Sequence, residues 1–287
     1  MQCRDLVGKC EIGCFVAPIN IPFCTSRVAA GMVTGATGAI GEAIARGLAV
    51  DVTREVVLIA RDRDKAQRTV QRIQGETGNA HVRFELADLS RGDAIRDLAS
   101  HWHGPLHILV NNAAITPPRR EESAEGVELQ FATNVLAYFR MIRAFIPNLS
   151  AAEGGQVVNV ASYWAGGLDF DDLEFRRRRY NNDTAYRQSK QADRMLSVAF
   201  AQRLADKGIC VNACHPGDVN STLSNSLGFG GHQTPDQGAD TPVWLAVGGA
   251  GAGATGRYFE HRRELPCGFS KDRDRVERLF EVCEDYD

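Results

Sequence analysis

The sequence lacks the features that would assign it to a membrane or to nucleic acid. It has 287 residues and no unbroken apolar stretch of about 18 residues, the length that a membrane-spanning helix needs. Neither sign of charge dominates, because 33 basic residues face 36 acidic ones and the formal net charge is −3. The arginine run at 176–179 follows acidic residues at 169–174, which predicts a locally balanced loop. We therefore expect no membrane span and no nucleic-acid partner.

The paired cysteines of a zinc site are also missing. Four of the eight cysteines lie near the amino end: Cys3, Cys10, Cys14 and Cys24. Their spacing lacks paired short gaps and no histidine lies near them, so we expect no metal site. Pro18 and Pro22 interrupt the segment and no clear cleavage site follows, which argues against a secretory signal. We expect residues 1–26 to be a poorly ordered extension and the thiols to stay reduced, as in a cytoplasmic protein.

The sequence does contain a regular alternation of short apolar segments and amphipathic segments. Their lengths, β-branched content and periodicity are those of buried strands and of helices. The predicted strands are 28–33, 55–60, 82–86, 106–110, 156–160 and 209–213. The predicted helices are 42–50, 64–74, 93–100, 127–146, one carrying residues 186 and 190, and a last one near 272–283. This alternation predicts the α/β fold class, with a single Rossmann-type doubly wound parallel sheet over residues 27–287, flanked by helices on both faces.

The segment TGATGAIG at 34–41 joins the first predicted strand to the first predicted helix. In a strand–turn–helix arrangement, bare backbone N–H groups and the helix N-terminus can hold a pyrophosphate. Glycine is needed there because a side chain would block the close approach of the backbone. The alternative is a tight turn without a ligand. Gly35, Asp88, Asn112 and Ser162 all follow predicted strands, so they should meet at the carboxyl edge of the sheet, where such folds bind ligands.

Tyr186 and Lys190 are four residues apart in the stretch AYRQSK, so a helix places them on one face. A free tyrosine titrates near pH ~10 and is a poor acid at neutrality. A neighbouring ammonium lowers the pKa of the phenol, which makes it a usable proton donor or acceptor. Alone, this spacing is more often a solvated helix face. The glycine loop and the sheet pattern favour the catalytic interpretation here.

With these motifs the chain resembles the short-chain dehydrogenases/reductases, and within them the retinol-dehydrogenase-like branch. The resemblance covers about residues 28–283. The motifs that carry it are the glycine loop, Asp88, the NNAA run at 111–114, Asn134 in FATNVLAYF, Ser162 in VVNVASYWA, Tyr186 with Lys190, His215-Pro216-Gly217, and the segments 234–246 and 253–260.

The resemblance implies a nicotinamide-dependent oxidoreductase with a catalytic tetrad of Ser162, Tyr186, Lys190 and Asn134. In this family pattern Tyr186 transfers the proton and Ser162 orients the substrate oxygen. Lys190 lowers the pKa of Tyr186 and reaches the nicotinamide ribose, while Asn134 holds a water that links Lys190 to solvent. The implied cofactor contacts are Gly35, Thr37, Gly38, Ala39, Ile40, Gly41, Arg61, Asp88, Leu89, Asn112, Ala113, Ala114, Tyr186, Lys190, Pro216, Gly217, Val219 and Ser221.

Three positions depart from the usual pattern of the family. The loop has glycine at Gly38 where relatives have it at the position of Ala39, and this spacing also fits the extended branch, which includes epimerases and dehydratases. The NNAA run and the HPG turn favour the shorter branch. Ala114 replaces the last glycine of the usual NNAG, and Ala161 replaces the first serine of a pair whose second member, Ser162, is kept.

Cofactor choice depends on the end of the second predicted strand. Enzymes of this fold that prefer NAD usually place Asp or Glu there to bind the ribose 2′-hydroxyl. This chain has Ala60-Arg61, and a guanidinium can bind the 2′-phosphate with two hydrogen bonds. We therefore expect NADP(H) to be preferred, with NAD(H) as the alternative. Because NADPH is usually the reducing pool in cells, reduction is the expected direction.

The expected substrate is a small lipophilic carbonyl compound or alcohol. Apolar residues near the motifs predict a mostly apolar pocket in two substrate loops, 163–185 and 221–237. The candidates are Tyr163, Trp164, Phe170, Phe175, Leu223, Leu227 and Phe229. Each would serve equally well in a core or a lid. A cofactor-binding regulator without catalysis is the alternative from another class, and homo-oligomer formation is left open.

Overall fold

One mostly parallel eight-stranded sheet organises the computed structural model, which describes residues 29–251 and 253–287. The extension predicted at 1–26, with its four cysteines, lies outside the described residues. The strands are β1 (Ala30–Thr34), β2 (Glu55–Ala60), β3 (Val82–Leu86), β4 (Ile108–Asn111), β5 (Gln156–Val160), β6 (Cys210–Cys214), β7 (Tyr258–Glu260) and β8 (Arg263–Leu265). Their order across the sheet is β3-β2-β1-β4-β5-β6-β7-β8, parallel up to β7 and antiparallel at β8. This confirms the predicted fold class.

Helices cover both faces of the sheet. They are α1 (Ala39–Ala49), α2 (Arg63–Thr77), α3 (Gly92–Ser100), α4 (Ala137–Ser150), α5 (Asn182–Leu204), α6 (Thr222–Ser226), α7 (Pro235–Ala246) and α8 (Arg273–Asp285), with a π-helical segment at Phe131–Leu136 that leads into α4. Apolar side chains of α1, α2 and α7 form one core and those of α3, α4, α5 and α8 form the other. No helix of the described chain has both the length and the apolarity needed to cross a bilayer.

Strand order reverses between β1 and β4, which are neighbours in the sheet although β2 and β3 lie between them in sequence. The connections that leave the carboxyl ends of these two strands run in opposite directions. A crevice therefore opens at this edge, which is the usual ligand site of an open α/β sheet.

The two loops predicted to hold substrate are built differently. Residues 168–178 are held to α5 because the Gln188 side chain donates to the Leu173 carbonyl, and to α8 because Arg275 donates to the Leu168 carbonyl. Within the loop, Asp172 accepts the N–H groups of residues 176–178. Ion pairs balance the arginine run as expected, with Arg176 bonded to a glutamate and Arg178 to two aspartates.

The second loop leaves the sheet after β6 and returns to the same place. Val219 and Gln233 form an isolated parallel bridge, and the N–H of Asn220 donates to the Gln233 carbonyl at 3.0 Å. The chain between them contains α6 and the glycines at 228, 230 and 231. The loop is therefore closed at its base by backbone hydrogen bonds.

Candidate active site

The turn after β1 requires glycine at two positions. Gly35 has a left-handed φ of +61°, and a Cβ on it would lie 2.8 Å from the Ala113 Cα. A Cβ on Gly41 would lie 2.3 Å from the Gly35 carbonyl oxygen and 2.6 Å from Nδ2 of Asn112. Side chains do not tolerate such contacts, so these glycines allow the turn, the first part of α1 and the chain after β4 to approach one another.

Thr34 bonds the glycine loop to the NNAA run. Its Oγ1 accepts the N–H of Asn112 at 2.8 Å and the N–H of Ala113 at 3.0 Å. In return, Nδ2 of Asn112 donates to the Thr34 carbonyl at 2.9 Å. The two motifs that the sequence places at one edge of the sheet are thus joined directly. The sequence analysis did not assign this role to Thr34, although it opens the TGATGAIG motif.

The N-terminus of α1 is open. Gly38 occupies the cap position and makes no side-chain hydrogen bond, with Thr37 before it and Ala39 and Ile40 after it. Five other helices are capped by side chains: Asp62 for α2, Asn181 for α5, Ser221 for α6, Thr234 for α7 and Asp272 for α8. The first N–H groups of α1, at the positive end of the helix dipole, fit the pyrophosphate of a dinucleotide.

Arg61 follows the last residue of β2 and is exposed. Within residues 29–251 and 253–287 it forms no hydrogen bond or ion pair. Asp62 beside it is used locally, because its carboxylate accepts the N–H of Lys65 at 2.9 Å and that bond lowers the pKa of Asp62. The guanidinium therefore remains available to an anion, and the neighbouring carboxylate is directed to the backbone of α2.

The remaining cofactor positions lie at the ends of other strands. Asp88 follows β3 and accepts the Ser90 N–H at 3.1 Å and the Ser90 hydroxyl at 2.8 Å, with Leu89 buried between them. Gly217 has a φ of +98° in the turn after β6. The predicted contacts that line the cleft described below include Ile40, Pro216, Gly217, Val219 and Ser221.

Ser162 and Tyr186 meet at the floor of a cleft. Their hydroxyl groups are hydrogen-bonded to each other, and they are only 5% and 8% exposed. Ser162 Oγ also accepts the N–H of Trp164 at 3.1 Å, and the Ser162 carbonyl accepts from Arg194 at 2.5 Å. Arg194 in turn lies over the ring of Tyr258, with Cζ 3.4 Å from its centre. The sequence analysis missed Arg194, which fixes the backbone that carries Ser162.

The acidity of Tyr186 differs from the sequence-based expectation. Burial raises its pKa to about 12, the hydrogen bond with Ser162 lowers it, and the charge of Asp193 raises it. The expected lowering of the Tyr186 pKa by Lys190 is therefore not what this structure shows. The Lys190 ammonium lies 5.9 Å from the centre of the Tyr186 ring and is paired with a carboxylate.

Lys190 is buried between α5 and the sheet. Its Nζ donates to the Val160 carbonyl at 2.8 Å and to the Asp193 carboxylate at 2.9 Å, and it lies 3.5 Å from the Tyr138 hydroxyl. Asp193 was not predicted as a site residue. The spacing nevertheless indicates the ion pair, because an acidic residue three positions after a lysine on one helix can reach its ammonium group.

Asn134 lies in the π-helical segment, a local widening that often occurs at functional sites. Its side chain binds the backbone of Ile115 twice, accepting the N–H at 2.9 Å and donating to the carbonyl at 3.0 Å. A further contact reaches Ser189 at 3.4 Å. The side chain thus holds the loop that follows Ala114 against α5. The water predicted between Asn134 and Lys190 remains a prediction.

Ser221 has a structural role beside the one predicted for it. Its hydroxyl caps α6 by accepting the Ser224 N–H at 3.1 Å, and the Ser224 hydroxyl accepts the Ser221 N–H at 2.9 Å. Thr116 and Ser226 are joined by their hydroxyl groups at 2.5 Å. The short helix is thereby held next to the loop that follows β4.

The cleft that contains Ser162 and Tyr186 has a volume of about 50 Å³ and opens towards a larger cavity of about 550 Å³. Both are lined by Tyr163, Trp164, Asp218 and Phe229. Phe229 packs edge-on against Trp164 with ring centres 4.8 Å apart. The cavity wall thus combines three aromatic side chains with Asp218 and His232, and it is formed by the chain after β5 and the loop after β6.

Three of the predicted pocket residues lie elsewhere. Phe170 packs under two arginines of α8, with Arg278 Cζ 4.6 Å from its ring centre. Phe175 is buried against Tyr180. Neither they nor Leu227 line the cleft or the cavity. His215, predicted only as part of the His215-Pro216-Gly217 motif, also lines the cleft. Burial lowers the pKa of His215 to about 3, so it is neutral at working pH.

Comparison with known proteins agrees with this geometry. A family model described as short chain dehydrogenase matches residues 29–228. Retinol dehydrogenase 13 of Homo sapiens is 30% identical over 270 residues, 87% of this chain and 81% of that protein. Polyprenol dehydrogenase of Mus musculus is 31% identical over 291 residues, 93% of this chain and 85% of that protein. A metagenomic short-chain oxidoreductase solved in complex with NADP is 27% identical, with a TM-score of 0.59 over 76% of this chain and 90% of that chain.

The chain belongs to the short-chain dehydrogenase family. Within that family it falls in the retinol-dehydrogenase-like branch, which confirms the resemblance seen in the sequence. It is an oxidoreductase of the class that interconverts CH–OH and C=O groups with a nicotinamide cofactor.

Thr34→Val should weaken the junction between the two loops. The substitution keeps the size of the side chain and removes the oxygen that accepts the Asn112 and Ala113 N–H groups. We expect the free energy of unfolding, measured in urea, to fall by about 1–3 kcal/mol. Thr133→Val is the matched control, since Thr133 is also buried and its hydroxyl has no hydrogen-bond partner in the described part of the chain. Equal losses in the two variants would contradict the role given to Thr34.

Proposed function

We propose that this protein uses NADPH to reduce a lipophilic ketone or aldehyde to the alcohol, and that it catalyses the reverse oxidation when alcohol and NADP⁺ prevail. The observation that carries the proposal is the meeting of the Ser162 and Tyr186 hydroxyl groups in a cleft also lined by Ile40 and Gly217. A substrate oxygen bound there can contact both hydroxyls beside the open N-terminus of α1.

Ser162 and Tyr186 have different roles in the proposed reaction. Ser162 binds and orients the substrate oxygen, and Tyr186 donates a proton to it during reduction. Its raised pKa keeps Tyr186 protonated at neutral pH, which suits a donor. Lys190 lies behind the phenol, where its ammonium would bind the nicotinamide ribose of a bound cofactor. When bound, the cofactor supplies or accepts the hydride.

The proposed preference for NADPH is supported by the surroundings of Arg61. A phosphate on the adenosine ribose needs a cation near the end of β2, and Arg61 is exposed and without a partner in the described chain. The nearest acidic side chain, Asp62, is bonded to the backbone of α2. A related short-chain oxidoreductase was solved in complex with NADP.

The proposed substrate class follows from the cavity in front of the cleft. Tyr163, Trp164 and Phe229 present aromatic surface to a space of about 550 Å³, which suits an apolar molecule with one reactive oxygen. The names of two relatives, retinol dehydrogenase 13 and polyprenol dehydrogenase, refer to lipophilic alcohols. The proposed compartment is the cytoplasm, where the four cysteines of the described chain, all free, would remain reduced.

The two alternatives lack a comparable observation. A non-catalytic regulator has no need for a serine and a tyrosine at the floor of a cleft with a buried lysine behind them, and the chain keeps all three. An extended-type epimerase or dehydratase is suggested only by the position of Gly38. Monitoring NADPH and NADH oxidation against a panel of ketones, aldehydes and activated sugars separates these functions from the proposed one.

Tyr186→Phe should abolish most of the activity and spare cofactor binding. The ring stays in place while the proton donor is lost, so kcat should fall by roughly 10²–10⁴-fold. NADPH affinity, measured by fluorescence titration, should stay within about threefold of the parent. Tyr180→Phe removes a phenol that is absent from the lining of the cleft and should leave kcat nearly unchanged. Activity of Tyr186→Phe near that of the parent would refute the assignment.

Arg61→Asp should change the cofactor preference. It replaces the proposed phosphate ligand by a repulsive carboxylate, and one charge-assisted contact is worth about 1.5–3 kcal/mol, roughly ten- to hundredfold in NADPH affinity. NADH affinity should be little affected. Arg68→Asp makes the same charge change on an exposed residue farther along α2. If the ratio of NADPH to NADH affinity does not move in Arg61→Asp, Arg61 is only a surface residue.

Residues 221–237 should behave as a lid. Glycines permit large backbone changes, and Phe229 borders the cavity and packs against Trp164. We expect hydrogen exchange in this segment to slow when NADPH binds, because the loop orders over the nicotinamide site. Exchange in α8, which does not line the cleft, serves as the internal control. The same exchange rates with and without NADPH would show that the loop is static.

A further inference from the structure

One face of α5 carries a continuous line of polar residues into the protein interior. Tyr186, Lys190 and Asp193 are at helical positions i, i+4 and i+7, so they lie along one face. Asp193 is fully buried, with 0% exposure. Its Oδ2 accepts from Lys190 at 2.9 Å, and its Oδ1 has no partner in the described chain. Burying a carboxylate with an unpaired oxygen lowers the stability of the fold. Such a residue is a candidate for a functional role.

The position of Lys190 is set by this carboxylate. Two protons of the ammonium go to the Val160 carbonyl and to Asp193, and the third faces the Tyr138 hydroxyl at the longer distance of 3.5 Å. A lysine side chain has four rotatable bonds and would otherwise sample several positions. The bonds to Val160 and Asp193 fix the ammonium. The longer contact with Tyr138 is the weakest of the three, so it is the one that a ribose hydroxyl can replace.

The other titratable groups that face this pair are neutral. Tyr138 from α4, Cys214 from β6 and Cys283 from α8 all have pKa values raised by burial. Tyr163, which faces Tyr186, has a raised pKa as well. Burial raises the pKa of Asp193, and the charge and hydrogen bond of Lys190 lower it. Asp193 is therefore the charged side chain that raises the pKa of Tyr186, and Lys190 is its counterion.

We propose that Asp193 is a positioning residue that holds the ammonium of Lys190 and offsets its charge, so that Tyr186 remains a neutral, proton-donating phenol. The inference rests on the proposed function and concerns its pH dependence. A lysine without a paired carboxylate would favour the phenolate and hence alcohol oxidation at lower pH. The pair keeps the phenol protonated over a wider pH range, so that the proton needed for carbonyl reduction stays on Tyr186 until the substrate oxygen takes it.

Removing the charge of Asp193 should lower the pKa of Tyr186. Asp193→Asn keeps a group that can accept from Lys190 and removes the negative charge near Tyr186. The phenolate is then less disfavoured, so the pKa of Tyr186 should fall by about one unit. The pH at which alcohol oxidation reaches half of its maximal kcat should fall by the same amount. Asp193→Glu retains the charge and should restore the parent profile.

A titration that needs no turnover measures the same quantity. The tyrosinate absorbance of the NADP⁺ complex is followed against pH in the parent and in Asp193→Asn. The corresponding Tyr186→Phe protein is subtracted in each case, so that only Tyr186 contributes. We expect the midpoint in Asp193→Asn to be about one pH unit below that of the parent. Asp193→Ser is a second neutral variant, for use if the asparagine protein does not fold.

Asp172→Asn is the matched control, because Asp172 is also a buried carboxylate paired with a cation but does not act on Tyr186. Its midpoint should equal that of the parent. If neutral variants at Asp193 leave the Tyr186 midpoint unchanged, the ion pair is merely structural and the inference fails. If the shift is found but the parent reduces no carbonyl compound, the proposed function fails while the control of Tyr186 by Asp193 stands.

Discussion

The burial of an ammonium group at the end of a parallel sheet is the constraint on which this site depends. The Lys190 side chain is 3% exposed, and a charge so far from water is tolerated only where the protein supplies its hydrogen bonds. The last carbonyl of β5, a phenol of α4 and a carboxylate of α5 do so. These three elements must therefore keep a fixed relation to one another, and α5 is buried along most of its 23 residues as a result.

The edge of the sheet is joined by short side chains that bond to backbone. Thr34 holds the chain after β4, Asn134 holds the following loop, and Asn112 returns to the chain at β1. Short side chains have few rotamers, so such bonds fix loop positions at a small cost in conformational entropy. The positions of the loops around the cleft are thus set by the register of the strands. Longer side chains such as Arg61 lie exposed at the edge of the site.

The sequence predicted six strands, because each is a short apolar segment, and it predicted the catalytic helix from the spacing of Tyr186 and Lys190. It did not predict β7 and β8, which are three residues each. Their turn places His261 and Arg262 at φ values of 49° and 58°, where the usual signal would be Asn-Gly. The pocket was predicted in part, since Phe170 and Phe175 are aromatic like the lining residues and only their contacts distinguish them. Asp193 was missed because its role depends on a depth of burial that helical spacing does not reveal.

The loop after β6 is attached to the sheet in a way that bears on how its sequence could change in evolution. Its base is fixed by the bridge between Val219 and Gln233 and by the glycine at 217, whose Cβ would collide with the Gln233 side chain. None of these contacts involves the residues at 222–231 that face the cavity. A change in the length or content of residues 222–231 would therefore leave the bridge and the sheet in place, although it would remove the contact between Ser226 and Thr116. A fold in which the base of this loop is closed can acquire new substrates through changes in the loop, while Ser162 and Tyr186 stay in place.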